Sequence, residues 1–446
     1  MTINSDINTR IEITNETVKD IATPGQAGKM GLIGAFPSIN QDVYCFGSIE
    51  EVYDKYGVVL KSNSWYNFDG PRAAHYLFHE DTEECDGVTN LTCVNITDSS
   101  IASSELSTTV VNSGSYSTAI KEIAATKLSY TSLKEALIKL SDEDIDAFMI
   151  SSDIRNAIPK KDEVSFKGET FSKAGTINDV YELIAYYQNN VFSIQKPVYW
   201  INWLNDLPGT NGNSTVTGIN TSIVNVPHAK EETEYYDSID KTSIGTAGWY
   251  CQPLEIHGAN VTRMEAAAHI AGFMATLPIG TSLTNKVIPG ITGIPSGEEM
   301  FFGKGDAGEI LMNSGVQVIK PYNRKDKTYC IKNSIQPSGY DVAHVRTIAY
   351  LLRQYDLIST IGETNDNVPI EALKAQIKAK SEEVRKLSNR LIIEVTIGKE
   401  KILSPWKIYI PIRVRLRGII NVIKLGVSME IIDESNAVEV SAQIEQ

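Results

Sequence analysis

The sequence lacks any run approaching the ~20 consecutive apolar residues of a membrane span, so no membrane insertion is expected. Its first residues, MTINSDINTRIEI, carry no basic segment followed by an apolar core and do not read as a secretion signal. Cysteine is scarce: five are scattered without a C-x-x-C pair, which fits free thiols in a reducing cytoplasm. Positive charge is in deficit. A net charge of −14 and a pI near 5.0 argue against a nucleic-acid binder, whose footprint is a basic patch. What remains is an ordinary globular composition, 42% hydrophobic and 22% charged. At 446 residues the chain is too long for one small core, so two or three domains are expected.

Residues 2–21 read as an extended arm, with Ile3, Ile7, Ile11 and Ile13 at even spacings and Pro24-Gly25 beyond. Strands are expected at Lys29–Phe36 and Asp42–Phe46, and a helix from Ser48 to Tyr56 with a Ser48/Glu51 capping box. A helix over Phe68–Glu80 and the β-rich stretch VTNLTCVNI follow. Residues 98–118, rich in Ser and Thr, read as a β-rich insertion. From Ser132 onward, helices 132–140 and 178–188 alternate with apolar runs at 145–150, 197–203 and 223–226. That alternation predicts a mostly parallel sheet covered on both faces, with 229–250 as an exposed excursion. Further on, a strand 315–321 leads into a hairpin through Asn323–Lys327, and helices are expected over 341–357 and 369–389. The end reads as two long strands, 407–417 and 419–432, joined near Gly418, then a tail with Val438 and Val440 alternating. Neither terminal arm shows a short turn into an antiparallel partner, so both are expected to pair elsewhere.

The chain is organised around Arg263–Gly293. Its first half, RMEAAAHIAGFMAT, is apolar nearly all round and must be buried. Pro278 and Gly280 stop it, and the chain restarts as SLTNKVIPGITG. These two phrases, with FGSIEEVYDKYG at Phe46–Gly57, resemble the contractile tail sheath proteins of bacteriophages and related injection machines. The resemblance spans most of the chain and is densest over 28–96 and 255–400.

It implies an α/β plus α+β, multi-domain protein. An N-terminal arm (1–21) and an N-terminal region with the β-rich insertion (22–118) would precede a central subtilisin-like, non-catalytic α/β domain (119–335). A C-terminal α+β domain (336–432) and a second arm (433–446) would complete the chain. The resemblance also implies a structural role without enzymatic activity or cofactor. Copies would form stacked hexameric rings around an inner tail tube, with baseplate and tail terminator proteins at the ends. The particle would be a virion tail assembled in the host cytoplasm.

Motifs for chemistry fare poorly. His257-Gly258 and Gly280-Thr281-Ser282 echo the histidine and serine motifs of subtilisin-like hydrolases. Yet they stand 25 residues apart, no matching aspartate motif precedes them, and Leu283 replaces the small residue needed after the serine. Gly303-Lys-Gly-Asp-Ala-Gly308 fits G-x-G-x-x-G, but PSGEEMFF makes a poor preceding strand and Asp306 would repel a phosphate. It reads as a turn. His75 and His79 lie four apart beside Asp81, Glu83, Glu84 and Cys85, without the second ligand pair that zinc requires. They read as an exposed helix end, and His269 as a hydrogen-bonded core histidine.

Two cationic features stand out from this acidic background. Lys374, Lys378 and Arg385 share a stripe on the helix 369–389, beside the apolar face of Leu373, Ile377 and Val384. Arg413, Arg415 and Arg417 alternate with Val414 and Leu416, so all three leave one face of a strand. Both are candidate docking surfaces for the tube or a neighbouring subunit, against the plainer reading of a solvated face.

Overall fold

The computed structural model describes residues 28–36, 43–56, 68–79, 85–96, 128–192, 198–203, 246–250, 252–296, 298–299, 306–313, 315–323, 325–336, 340–355, 370–388, 391–404, 407–418, 425–433 and 436–444. The arm 2–21, the insertion 98–118 and the run 223–226 lie outside them.

A six-stranded sheet forms the centre. Its strands are β1 (Lys29–Gly34), β2 (Val43–Phe46), β3 (Asn90–Asn95), β4 (Ala147–Ile150), β5 (Tyr199–Trp203) and β6 (Thr246–Tyr250). The order is β2-β3-β1-β4-β5-β6, parallel throughout except for β2 against β3. Alternate residues divide the strands between two cores. Leu32, Met149 and Ile201 face one, while Ile33, Phe148, Ile150 and Trp200 face the other. Helices α1 (Ile49–Tyr56) and α2 (Asp69–Phe78) cover the first face, and α3 (Tyr130–Ser141) and α4 (Ile177–Tyr187) the second. The expected mostly parallel, doubly covered sheet is therefore present, and the molecule is a mixed α/β protein.

Its strands come from both sides of the boundary expected at 118/119. That boundary cuts one sheet, because β1 is held between β3 and β4. The excursion expected over 229–250 is also corrected at its end: 246–250 is the edge strand β6, with Tyr250 buried.

Strands β7 (Leu254–Ile256) and β8 (Ala259–Val261) lead into α5 (Arg263–Thr276). Every residue of α5 from Met264 to Ala275 is buried. Thr262 and Glu265 form its capping box, and the Glu265 carboxylate meets the Arg72 guanidinium of α2 at 2.9 Å. Gly272 is required by this packing: a Cβ there would stand 2.4 Å from the Leu77 carbonyl oxygen of α2. Beyond Pro278 the chain is not a regular strand. It makes bridges only at Thr284 and Val287, then enters β9 (Ile291–Gly293), which joins the β8-β7-β9 sheet.

After α6 (Ala307–Asn313), β10 (Ile319–Asn323) and β11 (Thr328–Ile331) form the expected hairpin. Helix α7 (Val342–Arg353) is capped by Asp341 and packs on the first face of the sheet, and α8 (Ile370–Leu387) follows. Then come β12 (Ile392–Ile397), β13 (Lys401–Ser404), β14 (Lys407–Tyr409) and β15 (Ile412–Leu416). Here the expected pairing is wrong. Strand β15 pairs with β12 rather than with 419–432, and the expected strand 407–417 is broken at Pro411, which cannot donate to a ladder.

The chain divides into two compact units, 1–416 and 417–446. The second holds one hairpin, β16 (Leu425–Asp433) with β17 (Asn436–Ile444).

Candidate assembly interface

The C-terminal part of the first unit is a long bent hairpin under one helix. Strands β12 and β15 pair antiparallel from Ile392↔Leu416 to Ile397↔Ile412, and β13 and β14 continue toward the tip. The bend falls where the Gly398 N–H donates to the Pro411 carbonyl at 2.8 Å. Helix α8 lays Leu373, Ile377, Val384 and Leu387 over Val395, Ile397, Ile412, Val414 and Leu416. Alternation then turns Glu394, Thr396, Arg413 and Arg415 to solvent, together with Ile393 beside the bulge. Among the described residues, β12 and β15 have only each other as neighbours, and a strand edge without a neighbour is a template for pairing with another chain.

The cations expected to dock a partner are distributed differently from the expected stripes. Lys374 is mostly buried and ties α8 to the hairpin bend through Glu400, with Glu371 at 2.9 Å on its own helix. That hydrogen bond raises the Lys374 ammonium and lowers the Glu400 carboxyl from their ordinary values. Arg385 pairs with Glu382 at 3.1 Å, and Arg415 with Glu394 at 3.3 Å on the opposite strand. Lys378 and Arg413 are exposed and have no ion-pair partner among the described residues. Arg417 is exposed at the start of the second unit.

Ile3, Ile7, Ile11 and Ile13 lie outside the described residues. Val438 and Val440 lie in β17, in register with Ile431 and Met429 of β16. The expectation that this tail has no local partner is therefore corrected. The register closes at Asp433↔Asn436, with only two residues between them, a separation short enough for a tight hairpin.

The chemical motifs resolve into structural work. The Ser282 hydroxyl donates to the Asp341 carboxylate at 2.9 Å and stands 2.9 Å from the Ser334 hydroxyl. Asp341 also accepts from the Ala343 N–H at 2.8 Å, so this cluster fastens the loop after α5 to the start of α7. His75 and His79 are buried, not exposed as expected, because α2 packs along α5. His75 Nδ1 meets the Tyr53 hydroxyl at 2.9 Å. The His79 ring stacks on His269 with centroids 3.9 Å apart and places Nε2 2.5 Å from the His269 carbonyl. Burial pushes His79 down to about 4 and His269 well below its ordinary value. His269 places its own Nε2 2.7 Å from the Pro289 carbonyl, the hydrogen-bonded core histidine that the sequence suggested. Of the G-x-G-x-x-G segment, 303–305 lie outside the described residues, and α6 begins at Ala307.

No protein-family model matches the sequence, and no curated protein does. The fold does find relatives among solved structures. The crystal structure of the sheath tail protein from Desulfitobacterium hafniense matches with a TM-score of 0.52 at 9% identity, covering 95% of this chain and 97% of that one. That of the sheath tail protein from Listeria innocua matches with a TM-score of 0.49 at 10% identity, covering 88% and 96%. The chain has the fold of a sheath tail protein. The fold recognised from the phrases around Phe46 and Arg263 is thus found again in three dimensions. At 9% identity the two chains share very few side chains, so the correspondence lies in element order and packing.

Proposed function

We propose that this chain is a structural subunit of a contractile tail sheath, without enzymatic activity. The observation that carries the reading is the end-to-end correspondence with the D. hafniense sheath tail protein, which leaves almost no part of either chain over. In this reading, copies stack as hexameric rings around an inner tail tube, between baseplate and terminator proteins, in a virion tail assembled in the host cytoplasm. The central α/β layer, related by resemblance to subtilisin, serves as a rigid non-catalytic body.

The long hairpin supports an assembly role. A two-stranded sheet with one covered face and open edges accepts further strands through main-chain hydrogen bonds. The N-terminal arm of a neighbouring copy, with its even-spaced isoleucines, is the proposed donor. Strand addition links copies through backbone bonds that survive large rigid-body shifts, as contraction demands. Heterologous contacts of this kind do not close on themselves and so build helical filaments.

Electron microscopy of the purified chain tests the reading, with tubular polymers expected. Deleting residues 1–20 should leave a compact monomer with nearly unchanged thermal unfolding that forms no long polymers. Ordered tubes from the truncated chain would refute the arm's role, and an intact chain that stays monomeric at every concentration would refute the sheath reading.

A further inference from the structure

The β10–β11 hairpin inverts the charge of the molecule. From Lys320 to Lys332 it carries five basic side chains and one acidic one, a net of +4 in a chain of −14, which leaves the rest at −18. The segment 284–288 docks along β11 and adds Lys286, since Asn285 N–H donates to the Ile331 carbonyl at 2.8 Å and Ile288 N–H to that of Tyr329 at 3.0 Å. Lys286, Lys325 and Lys327 are exposed and Lys320 is half-exposed. No carboxylate pairs with any of these four among the described residues. The contrast with α8 is direct, because three of its cations, Lys374, Lys380 and Arg385, are each matched by a glutamate.

Two further features separate this ribbon from a merely solvated tip. Tyr322, at 60% exposure, and Val287, at 38%, stand among the lysines, giving the mixture of aromatic, apolar and cationic groups that interfaces favour. Lys332 is partly buried close to Lys320, and burial followed by the Lys320 charge lowers its ammonium from the ordinary value. Crowded cations of this kind are relieved by an incoming anionic surface.

We infer that the ribbon of Lys286, Lys320, Tyr322, Lys325 and Lys327 is a docking surface for the acidic face of a second copy of this chain. The inference deepens the sheath reading and rests on it. Charge complementarity selects the occupant. Copies at −14 repel one another, and at contact only groups within a Debye length, about 8–10 Å, decide the sign. A cationic ribbon set against a body at −18 converts that repulsion into attraction at one place and fixes the register of the copies. A nucleic acid fits less well, since phosphates reaching beyond the ribbon would meet the acidic remainder.

The test compares the intact chain with K320E/K325E/K327E and with K320Q/K325Q/K327Q, the neutral set keeping the experiment readable if reversal harms folding. Circular dichroism should show unchanged unfolding for the neutral set. Sedimentation then measures the critical concentration for polymer formation across a salt series. Reversal is expected to raise it by about tenfold or more at low salt and to flatten its salt dependence, with neutralisation giving a smaller rise. Polymerisation of both variants at the wild-type concentration and salt slope overturns the inference while leaving the sheath reading intact. A wild-type chain that never polymerises overturns that reading and this inference together. Binding of a labelled DNA duplex by the intact chain, lost in the variants without any change in polymerisation, overturns it in favour of a nucleic-acid contact.

Discussion

The central sheet and the C-terminal hairpin are built from similar apolar alternation and finish in opposite conditions. In the first, β1 sits between two parallel neighbours and contributes residues to cores on both faces. In the second, β12 and β15 have, among the described residues, one partner each and one covered face. A sheet sealed on both faces stabilises a subunit and offers a neighbour little beyond its rim. A sheet left open at its edges is poorly finished alone and suited to completion by another chain. On the proposed function, the first region serves stability and the second assembly.

The largest effect is expected inside the sealed region. Ala267 lies in the middle of α5 with no exposure. Ala267→Asp places a carboxylate there without a partner, costing several kcal/mol against a total stability of ~5–15 kcal/mol. The variant should be insoluble or largely unfolded. Normal solubility with unchanged thermal unfolding would show that α5 is not the packed centre.

In the open region a truncation of similar kind should act locally. Ile377→Ala removes the α8 side chain seated over the hairpin and should cost about 2–4 kcal/mol. Hydrogen exchange should accelerate in α8, β12 and β15 while β1 and β4 keep their protection. Equal acceleration in both regions would mean that the two share one cooperative unit and would collapse the division.

Sequence reading reached the sealed region more easily than the open one, for physical reasons. Helix α5 announced its own limits, since Pro278 ends it and its apolar sides require burial. Five strands of the central sheet are visible singly, while β6 hides at the end of a polar, aromatic stretch. Their order is not visible, because the β3–β1–β4 neighbourhood joins residues more than 50 apart. In the C-terminal layer, the run IIEVTI at Ile392–Ile397 is β-branched enough to mark β12, but its single Glu394 and short length make it weaker than the strands expected at 407–417 and 419–432. Without β12, β15 was given the wrong partner. The docking cations went astray because helical spacing shows which residues share a stripe and cannot show that Glu400 arrives from a distant bend. The lysines of β10–β11 stand out little in the sequence, because only the fold brings Lys286 alongside them.

Acid should distinguish the regions as well. The His79–His269 stack belongs to the sealed part, where α2 meets α5. His79 falls from 6.5 when unfolded to about 4 in the fold, so below pH 6.5 the unfolded chain binds a proton that the fold refuses. Its contribution is intact above pH 6.5 and is lost as pH falls toward 4, a difference of about 2–3 kcal/mol. His79→Asn suits the left-handed backbone at that position (φ 54°) and removes the titration. Urea unfolding at pH 7 and pH 4.5 should show a smaller acid loss in this variant than in the wild type. An identical loss would place the acid sensitivity elsewhere.

The smallest expected effect separates two lysines of one stripe. Lys374 reaches Glu400 and so ties α8 to the point where the hairpin bends. Lys378, one turn further along the helix, is exposed and touches no carboxylate among the described residues. Lys374→Glu would set three carboxylates together, the new one with Glu371 and Glu400, and should lower the thermal midpoint slightly while loosening the bend. Lys378→Glu changes one exposed charge, which rarely alters stability measurably. Should it nonetheless raise the critical concentration for polymerisation at low salt, the α8 face meets an acidic neighbour. If both variants unfold and polymerise as the wild type does, the Lys374–Glu400 tie is dispensable and the open region draws its order from Ile377 and Val384 alone.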